Sequence, residues 1–520
     1  MTTLTRDVSV TVENGRINGR TQSYNGTNVE VYLGIPYAKP PVGALRFRRP
    51  LAATKWSKPL DAYQWPSPCQ QTPFGLVSVH NKNASEDCLY LNVFNSKSSV
   101  NTNDDRKRPV MVWIHGGGFI MGSSVETVYN PLLLATQGDV IVVTINYRLG
   151  LLGLLNAGTD EAPGNMFIWD QIQALEWIQK NIGQFGGDPN RVTIFGGSAG
   201  SVSISLLILS PKSRHLFQNA IMMSGAATVY KSIAESADSQ QYWLSQAKIV
   251  GCSINSNTSS QQLVDCLRRV PADKLALLPT TPFDTTGKII PVAVNDGQLL
   301  TADGLKMLEK GEHKHNFSLL IGNTGDEGSI LLALLVDPKT FDFFTPKKFS
   351  YSEAYDFLKK FSSHLPANRP IDGELVAKLY YTGLSNKTAD DLLIRTIGLA
   401  FGDYVMTCPT TRFGKQLAKN NNTGVNVYQY YYNTKIVDPS KTGDKWLASL
   451  CTKWMGACHS TDILPVKPGV VDNDDWPQFY SVDSHVIAPY YEFANQPNPV
   501  TNYNNNLKDI YCDNLWNSYN

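Results

Sequence analysis

The chain has 520 residues, of which 42% are hydrophobic and 18% charged, enough apolar mass for a large buried core and no signature of disorder. Its formal net charge of +1 offers no electrostatic footprint for nucleic acid or an anionic membrane surface. No apolar run reaches the roughly 18 residues of a spanning helix, and no linker, repeat or composition break divides the chain. Residues 1–520 are therefore expected to form one oversized domain with long insertions.

In chain order, the first elements alternate apolar and polar residues, as in Val8–Val12 and Val29–Leu33, with Asn14-Gly15 and Asn25-Gly26 between them. That period of two with Asn-Gly punctuation predicts a small antiparallel meander. Basic residues cluster at Arg46, Arg48 and Arg49 and again at Arg106 to Arg108, and both clusters read as solvated loops. Strands follow at Leu89–Phe94 and Val110–Ile114, the second running directly into His115-Gly116-Gly117-Gly118-Phe119. Consecutive glycines after a strand let backbone N–H groups converge on one point, where they can bind a developing oxyanion.

A strand at Val140–Asn146, a helix from about Asn165 to Asn181 and a strand at Val192–Phe195 come next. The last of these enters Gly196-Gly197-Ser198-Ala199-Gly200, and an apolar helix leaves it. A serine at such a strand-to-helix turn sits in a strained backbone with its hydroxyl held at the helix start, the setting of a nucleophile. Either glycine motif alone is also an ordinary turn. The two together, in this order and each at a strand end, point to acyl-transfer chemistry. Strands at Ala220–Ser224, Leu319–Ile321 and Val427–Tyr432, long helical insertions and a closing helix near Asn506–Trp516 complete the pattern. Alternation of this kind predicts an α/β fold: a large, mostly parallel central sheet with helices on both faces, plus the small N-terminal antiparallel sheet.

The eight cysteines and six Asn-x-Ser/Thr sequons, at Asn25, Asn83, Asn257, Asn316, Asn386 and Asn421, suit a secreted or secretory-lumen protein. The N-terminus lacks the apolar core of a signal peptide, so a removed signal is expected. Eight cysteines admit 105 pairings, and spacing does not choose among them.

Further motifs carry a resemblance. They are Ser85-Glu86-Asp87-Cys88-Leu89-Tyr90-Leu91-Asn92-Val93, Asn146-Tyr147-Arg148, Gly186-Gly187-Asp188-Pro189-Asn190-Arg191-Val192, Asp326-Glu327-Gly328-Ser329 and Gly456-Ala457-Cys458-His459. With the two glycine motifs, these make the chain resemble the type-B carboxylesterase and cholinesterase family of alpha/beta hydrolases over essentially its whole length. The resemblance implies an alpha/beta-hydrolase fold and a triad in the order Ser198, Glu327, His459. It implies an oxyanion hole from the N–H groups of Gly117, Gly118 and Ala199, and disulfides Cys69–Cys88, Cys252–Cys266 and Cys408–Cys512. Arg148 with Asp170 and Arg46 with Glu86 match ion pairs of the family that belong to architecture. Ser224 resembles a serine that supports the acid and the histidine, although an ordinary strand-end serine reads equally well.

The chemistry explains the residue types. Imidazole titrates in the range needed to take a serine's proton and return it to a leaving alcohol, and a carboxylate fixes its tautomer. His459 is the expected base and Glu327 the orienting acid. Asp326 rivals Glu327 by position, and His115 and His485 are rival histidines, the first accounted for by the glycine loop and the second in no motif. Cys451 and Cys458 depart from the family motif; a local bridge beside His459 and two buried thiols are both open. Neither a metal nor an organic cofactor is expected.

The substrate reading comes from absences. The segment between Cys69 and Cys88 holds no tryptophan, Ile330, Leu331 and Leu332 stand where a cholinesterase places an aromatic, and Gly197 replaces a glutamate before the nucleophile. A choline cation needs aromatic faces. The expected partner is therefore a small uncharged ester, with self-association left open. A storage, crystal-forming or adhesion role with little turnover is the alternative from another class, and a lipase the nearer one.

Overall fold

The computed structural model describes residues 4–71, 83–97, 106–126, 129, 131–229, 232–252, 259–278, 292–419, 423–433, 451–463, 480–482, 485–487, 490–493, 503–504, 509–513 and 515–519. Its centre is one sheet with the strands β1 (Leu4–Val12), β2 (Gly15–Tyr24), β3 (Thr27–Pro36), β4 (Tyr90–Lys97), β5 (Arg108–Ile114) and β6 (Ile141–Ile145) in its first half. The second half contains β7 (Gly187–Gly197), β8 (Asn219–Met223), β9 (Phe317–Thr324), β10 (Val425–Tyr432), β11 (Tyr490–Phe493) and β12 (Tyr503–Asn504). Spatial order is β1-β2-β3-β4-β6-β5-β7-β8-β9-β10-β11-β12, with the short strand Leu60–Asp61 paired to β2.

All neighbours from β6 through β11 pair in parallel, whereas the other neighbours along that order pair antiparallel and the short strand Leu60–Asp61 lies parallel to β2. The N-terminal meander β1–β3 does not stand apart. β3 hydrogen-bonds to β4, which extends the meander into the main sheet. The parallel block is the part that needs cover on both faces, because its connections are crossovers. Alternation along β6 shows how that cover is divided: Ile141, Val143 and Ile145 enter the largest apolar cluster, while Val142 joins Val29, Val31, Phe94 and Ala135 on the opposite face. Ala135 belongs to the helix Pro131–Gly138, which covers that second face.

Helix α1 (Met166–Asn181) supplies Phe167, Ile168, Ala174, Leu175 and Ile178 to the large cluster, a spacing of three and four that keeps them on the core side. Helix α2 (Ala199–Leu209) is buried at every position except Val202. Its serines are satisfied within the core: Ser201 donates to Gly225 O at 2.6 Å, and Ser203 accepts from Gln171 at 3.0 Å. A second apolar cluster gathers the short helix Glu327–Leu331, helix α3 (Asp390–Gly402), Trp454, Met455 and Trp516. Ile330, Leu331 and Leu332 are buried in it.

Four disulfides close the described structure: Cys69–Cys88, Cys252–Cys266, Cys408–Cys512 and Cys451–Cys458. The reading of Arg46, Arg48 and Arg49 as a solvated cluster is corrected. Arg46 is buried against Glu86, Arg48 pairs with Glu161, and Arg49 lies over the Trp169 ring, so each guanidinium has an internal partner. In the second cluster Arg108 opens β5 and pairs with Asp139 at 2.8 Å. The described part of the expected closing helix is Asp509–Cys512, followed by a tight turn at Trp516–Ser518; residues 505–508 and 514 fall outside the described set.

Candidate active site

The C-terminal ends of β5, β7, β8 and β9 lie side by side, and each delivers one part of the site. β7 ends at Gly197 and α2 begins at Ala199, so the turn is made by Ser198 alone, with φ 56° and ψ −123°. Such a backbone is strained for a residue with a side chain. The surroundings hold it there: Ser198 N–H donates to Met223 O at 2.8 Å, and its carbonyl accepts from Val202 N–H at 2.9 Å. A Cβ at Gly200 would stand 2.1 Å from Ile114 O, and one at Gly196 would stand 2.4 Å from the same oxygen. The elbow crosses the end of β5 too closely for any other residue.

The glycine loop leaves β5 at that point. A Cβ on Gly116 would meet Gly197 O at 2.8 Å and the Ser198 Cβ at 3.2 Å, so the loop packs directly on the elbow. Gly117 and Gly118 take positive φ, 107° and 62°, which turns their peptide units as an L-residue rarely can. His115, at the loop's start, is committed elsewhere. Its Nδ1 bonds Gly116 O at 2.8 Å, its ring stacks on Tyr147 at 4.2 Å, and burial lowers its pKa to about 4.

Opposite stands the acid and histidine pair. Glu327 begins the short helix after β9, and its Oε2 meets His459 Nδ1 at 2.5 Å. Its other oxygen accepts from Ser224 Oγ at 2.5 Å, Thr324 N–H at 2.6 Å and Asn323 Nδ2 at 3.3 Å. Burial opposes ionisation of Glu327, but the His459 charge and these donors outweigh it and hold its pKa below the ordinary carboxylate value. Burial likewise opposes charging of His459, yet Glu327 carries its pKa above the ordinary imidazole value. Met223 and Ser224, consecutive at the end of β8, thus hold the elbow and the acid respectively.

Asp326 has a different task. Its carboxylate pairs with Arg395 of α3, 2.7 Å at Nη2, and accepts Ala457 N–H at 2.8 Å, while its own N–H donates to Ala457 O at 2.9 Å. It staples the acid loop to the histidine loop. The bridge Cys451–Cys458 closes the segment immediately before His459. No hydrogen bond joins Ser198 to His459 among the described residues, and His459 Nε2 is buried without a partner. His485 lies in a short strand whose side chains fall outside the described set.

Ala199 N–H sits at the first position of α2, where a helix has no internal acceptor. Arg148 and Asp170 form the bidentate pair, 2.8 and 2.7 Å, in full burial, and Arg46 grips Glu86 at 2.6 and 2.5 Å. One residue was not anticipated from sequence. Asp462, half-buried and bonded by Tyr430 Oη at 2.5 Å, lies close enough to Glu327 and His459 to feel both charges, and desolvation raises its pKa to about 6. An acid three residues beyond the candidate base was the available signal.

Sheet order, elbow and glycine loop are those of an alpha/beta hydrolase. The chain belongs to the carboxylesterase family, whose sequence profile matches residues 6–515. It is 32% identical over 506 residues to "Acetylcholinesterase-1" of Trittame loki, covering 92% of this chain and 84% of that protein. It is 31% identical to "Acetylcholinesterase" of Leptinotarsa decemlineata, covering 87% and 73%, and 32% identical to "Cholinesterase" of Mus musculus, covering 88% and 73%. Family membership places the chain among ester hydrolases.

Proposed function

We propose that this chain is a serine carboxylesterase acting on small uncharged esters, with Ser198 as nucleophile, His459 as base and Glu327 as orienting acid. The observation that carries the reading is the Glu327–His459 contact at 2.5 Å, with Nε2 buried, unpartnered and so available to receive a proton. His459 takes the Ser198 proton as Oγ attacks the carbonyl carbon, and the carbonyl electron pair moves to an oxygen bound by Gly117, Gly118 and Ala199 N–H groups. Collapse breaks the ester C–O bond, His459 protonates the leaving alcohol, and the acyl group stays on Ser198. Water, deprotonated by His459, repeats the sequence and releases the acid. The Ser198 to His459 contact that is open here is one that tightens in a substrate complex.

Residues 1–520 are read as one catalytic domain, in keeping with a family match that spans residues 6–515. Four disulfides and the exposed sequon asparagines Asn25, Asn83, Asn316 and Asn386 support a secreted or secretory-lumen setting. Asn257 and Asn421 lie outside the described residues.

Gly197, the aliphatic run Ile330–Leu332 and the lack of tryptophan between Cys69 and Cys88 support a neutral ester over a choline ester. Relatives named as acetylcholinesterases favour the choline reading, which is therefore the second. Hydrolysis of short p-nitrophenyl esters and of a choline ester, by wild type and Ser198→Ala, separates them. The proposal expects Ser198-dependent turnover with the neutral esters much preferred. Preference for the choline ester would select the second reading; no turnover with either would leave a storage or adhesion role.

A further inference from the structure

One buried acid in this region has no part in the scheme above. Glu126 lies on the segment that follows the glycine loop, 8% exposed, with Ser123 N–H on its Oε1 at 2.8 Å. Its second partner is the Tyr129 hydroxyl, which donates to the carboxyl group. The Tyr129 oxygen in turn accepts the N–H of Gly116, and the Tyr129 ring packs on Trp113 of β5 at 4.6 Å. Gly116 is the residue whose α-carbon abuts Gly197 O and the Ser198 side chain. A continuous path therefore runs Glu126, Tyr129, Gly116, Ser198, with hydrogen bonds for its first two steps and packing for the third.

We propose that Glu126, acting through Tyr129, positions the Gly116–Gly118 loop against Ser198 and so sets the geometry of the oxyanion hole. The inference rests on the esterase reading of that loop. A carboxyl group is costly to bury, and an apolar residue would fill the same space without cost unless the hydrogen bonds it makes matter. Here those bonds end on a peptide N–H of the glycine loop itself. Gly117 and Gly118 follow directly on Gly116, so a shift of Gly116 moves the candidate donors, and donors misplaced by a fraction of an ångström lose much of their value.

The titratable neighbours make the role readable by pH. Tyr129 and Tyr147 are held protonated, since burial pushes both far above the ordinary phenol value, and His115 stays neutral above its pKa of about 4. Burial raises Glu126 itself to about 7, against the opposing Ser123 and Tyr129 hydrogen bonds. Of these four groups, Glu126 alone changes charge between pH 6 and 8 on these values. Its ionisation places a buried negative charge beside the loop where an oxyanion must form.

The test measures kcat and KM on a p-nitrophenyl ester across pH 6–8 for wild type, Ser198→Ala, Glu126→Leu, Glu126→Gln, Tyr129→Phe and the Glu126→Leu/Tyr129→Phe double variant, each shown folded by thermal melting. We expect Glu126→Leu and Tyr129→Phe each to lower kcat about 10- to 100-fold with KM within about twofold, less than the ~10²–10³ of losing a donor outright. The double variant should be no slower than the worse single one, because both break one path. Glu126→Gln, which keeps one acceptor oxygen and the side-chain shape without a charge, should recover part of the rate lost in Glu126→Leu at pH 6, and its kcat relative to wild type should rise as pH passes 7. Wild-type kcat in folded Glu126→Leu or Tyr129→Phe, or losses that multiply in the double variant, would overturn the proposal; if Glu126→Leu does not fold, Tyr129→Phe and the Glu126→Gln pH ratio decide. Absence of Ser198-dependent turnover in wild type itself would instead sink the esterase reading and this inference with it.

Discussion

Asp326 and Glu327 are adjacent carboxylates that the backbone sends to different partners, Arg395 and Ala457 N–H for one, His459 and Ser224 for the other. Their variants should fail differently. Glu327→Gln removes the charge that lifts the His459 pKa and leaves burial to depress it. The base must be neutral to work, so the acidic limb of the kcat/KM profile should move to lower pH in Glu327→Gln even as kcat falls by roughly 10⁴, the loss seen when a triad acid becomes an amide. A profile with an unmoved limb would remove Glu327 from its assigned role. Asp326→Asn leaves the charges of Glu327 and His459 in place and loosens the staple, so it should lower thermal stability before it shifts the limb. The titration of His459 also bears on stability. Its folded pKa lies above the unfolded value, so its contribution is complete below the unfolded value and fades as pH rises through the folded one.

At the scale of elements, the strand-turn-helix around Ser198 is the least tolerant part of the molecule. Gly200→Val places side-chain atoms where a Cβ already lies 2.1 Å from Ile114 O, so β5, β7 and α2 cannot keep their crossing. Overpacking of this kind costs about 1–3 kcal/mol or more, and urea denaturation of the variant should show at least that loss. The ion pair between Arg148 and Asp170 is similarly exacting: Arg148→Met strands a fully buried carboxylate and should cost about 3–5 kcal/mol, measured the same way. These were the parts most readable in the sequence. A glycine required by close approach, or an Arg and an Asp within known motifs, leaves a mark at fixed spacing. β7 proved longer than Val192–Phe195 because Gly187 pairs with Arg108 before a register shift, and polar residues that extend a strand leave no alternating pattern. Tyr430 and Glu126 were illegible for a related reason, since each is a lone polar residue whose meaning lies in a neighbour distant in sequence or in a loop without periodicity, and Asp462 offered only its spacing of three from His459.

Over the whole molecule, a mixed sheet with a parallel centre fixes where chemistry can occur, since the loops leaving β5, β7, β8 and β9 emerge at one edge of the fold. The alternation of strand and helix made that architecture legible, whereas the continuity of the meander with the main sheet depended on the antiparallel β3–β4 pairing, which no local pattern encodes. The disulfide Cys408–Cys512 spans 104 residues and ties the C-terminal segment to the second apolar cluster. Its removal in Cys408→Ala/Cys512→Ala should lower unfolding free energy by about 2–5 kcal/mol, with little change in KM.

The central claim is that Ser198 is the residue that carries the acyl group. Its most direct test is reaction of the folded chain with a fluorophosphonate followed by peptide mass spectrometry, at neutral pH, alongside Ser198→Ala. A single adduct is expected on the peptide containing Ser198, matched by complete loss of ester turnover and absent from the variant. An adduct on another residue, or full turnover retained after Ser198 is lost, would contradict it.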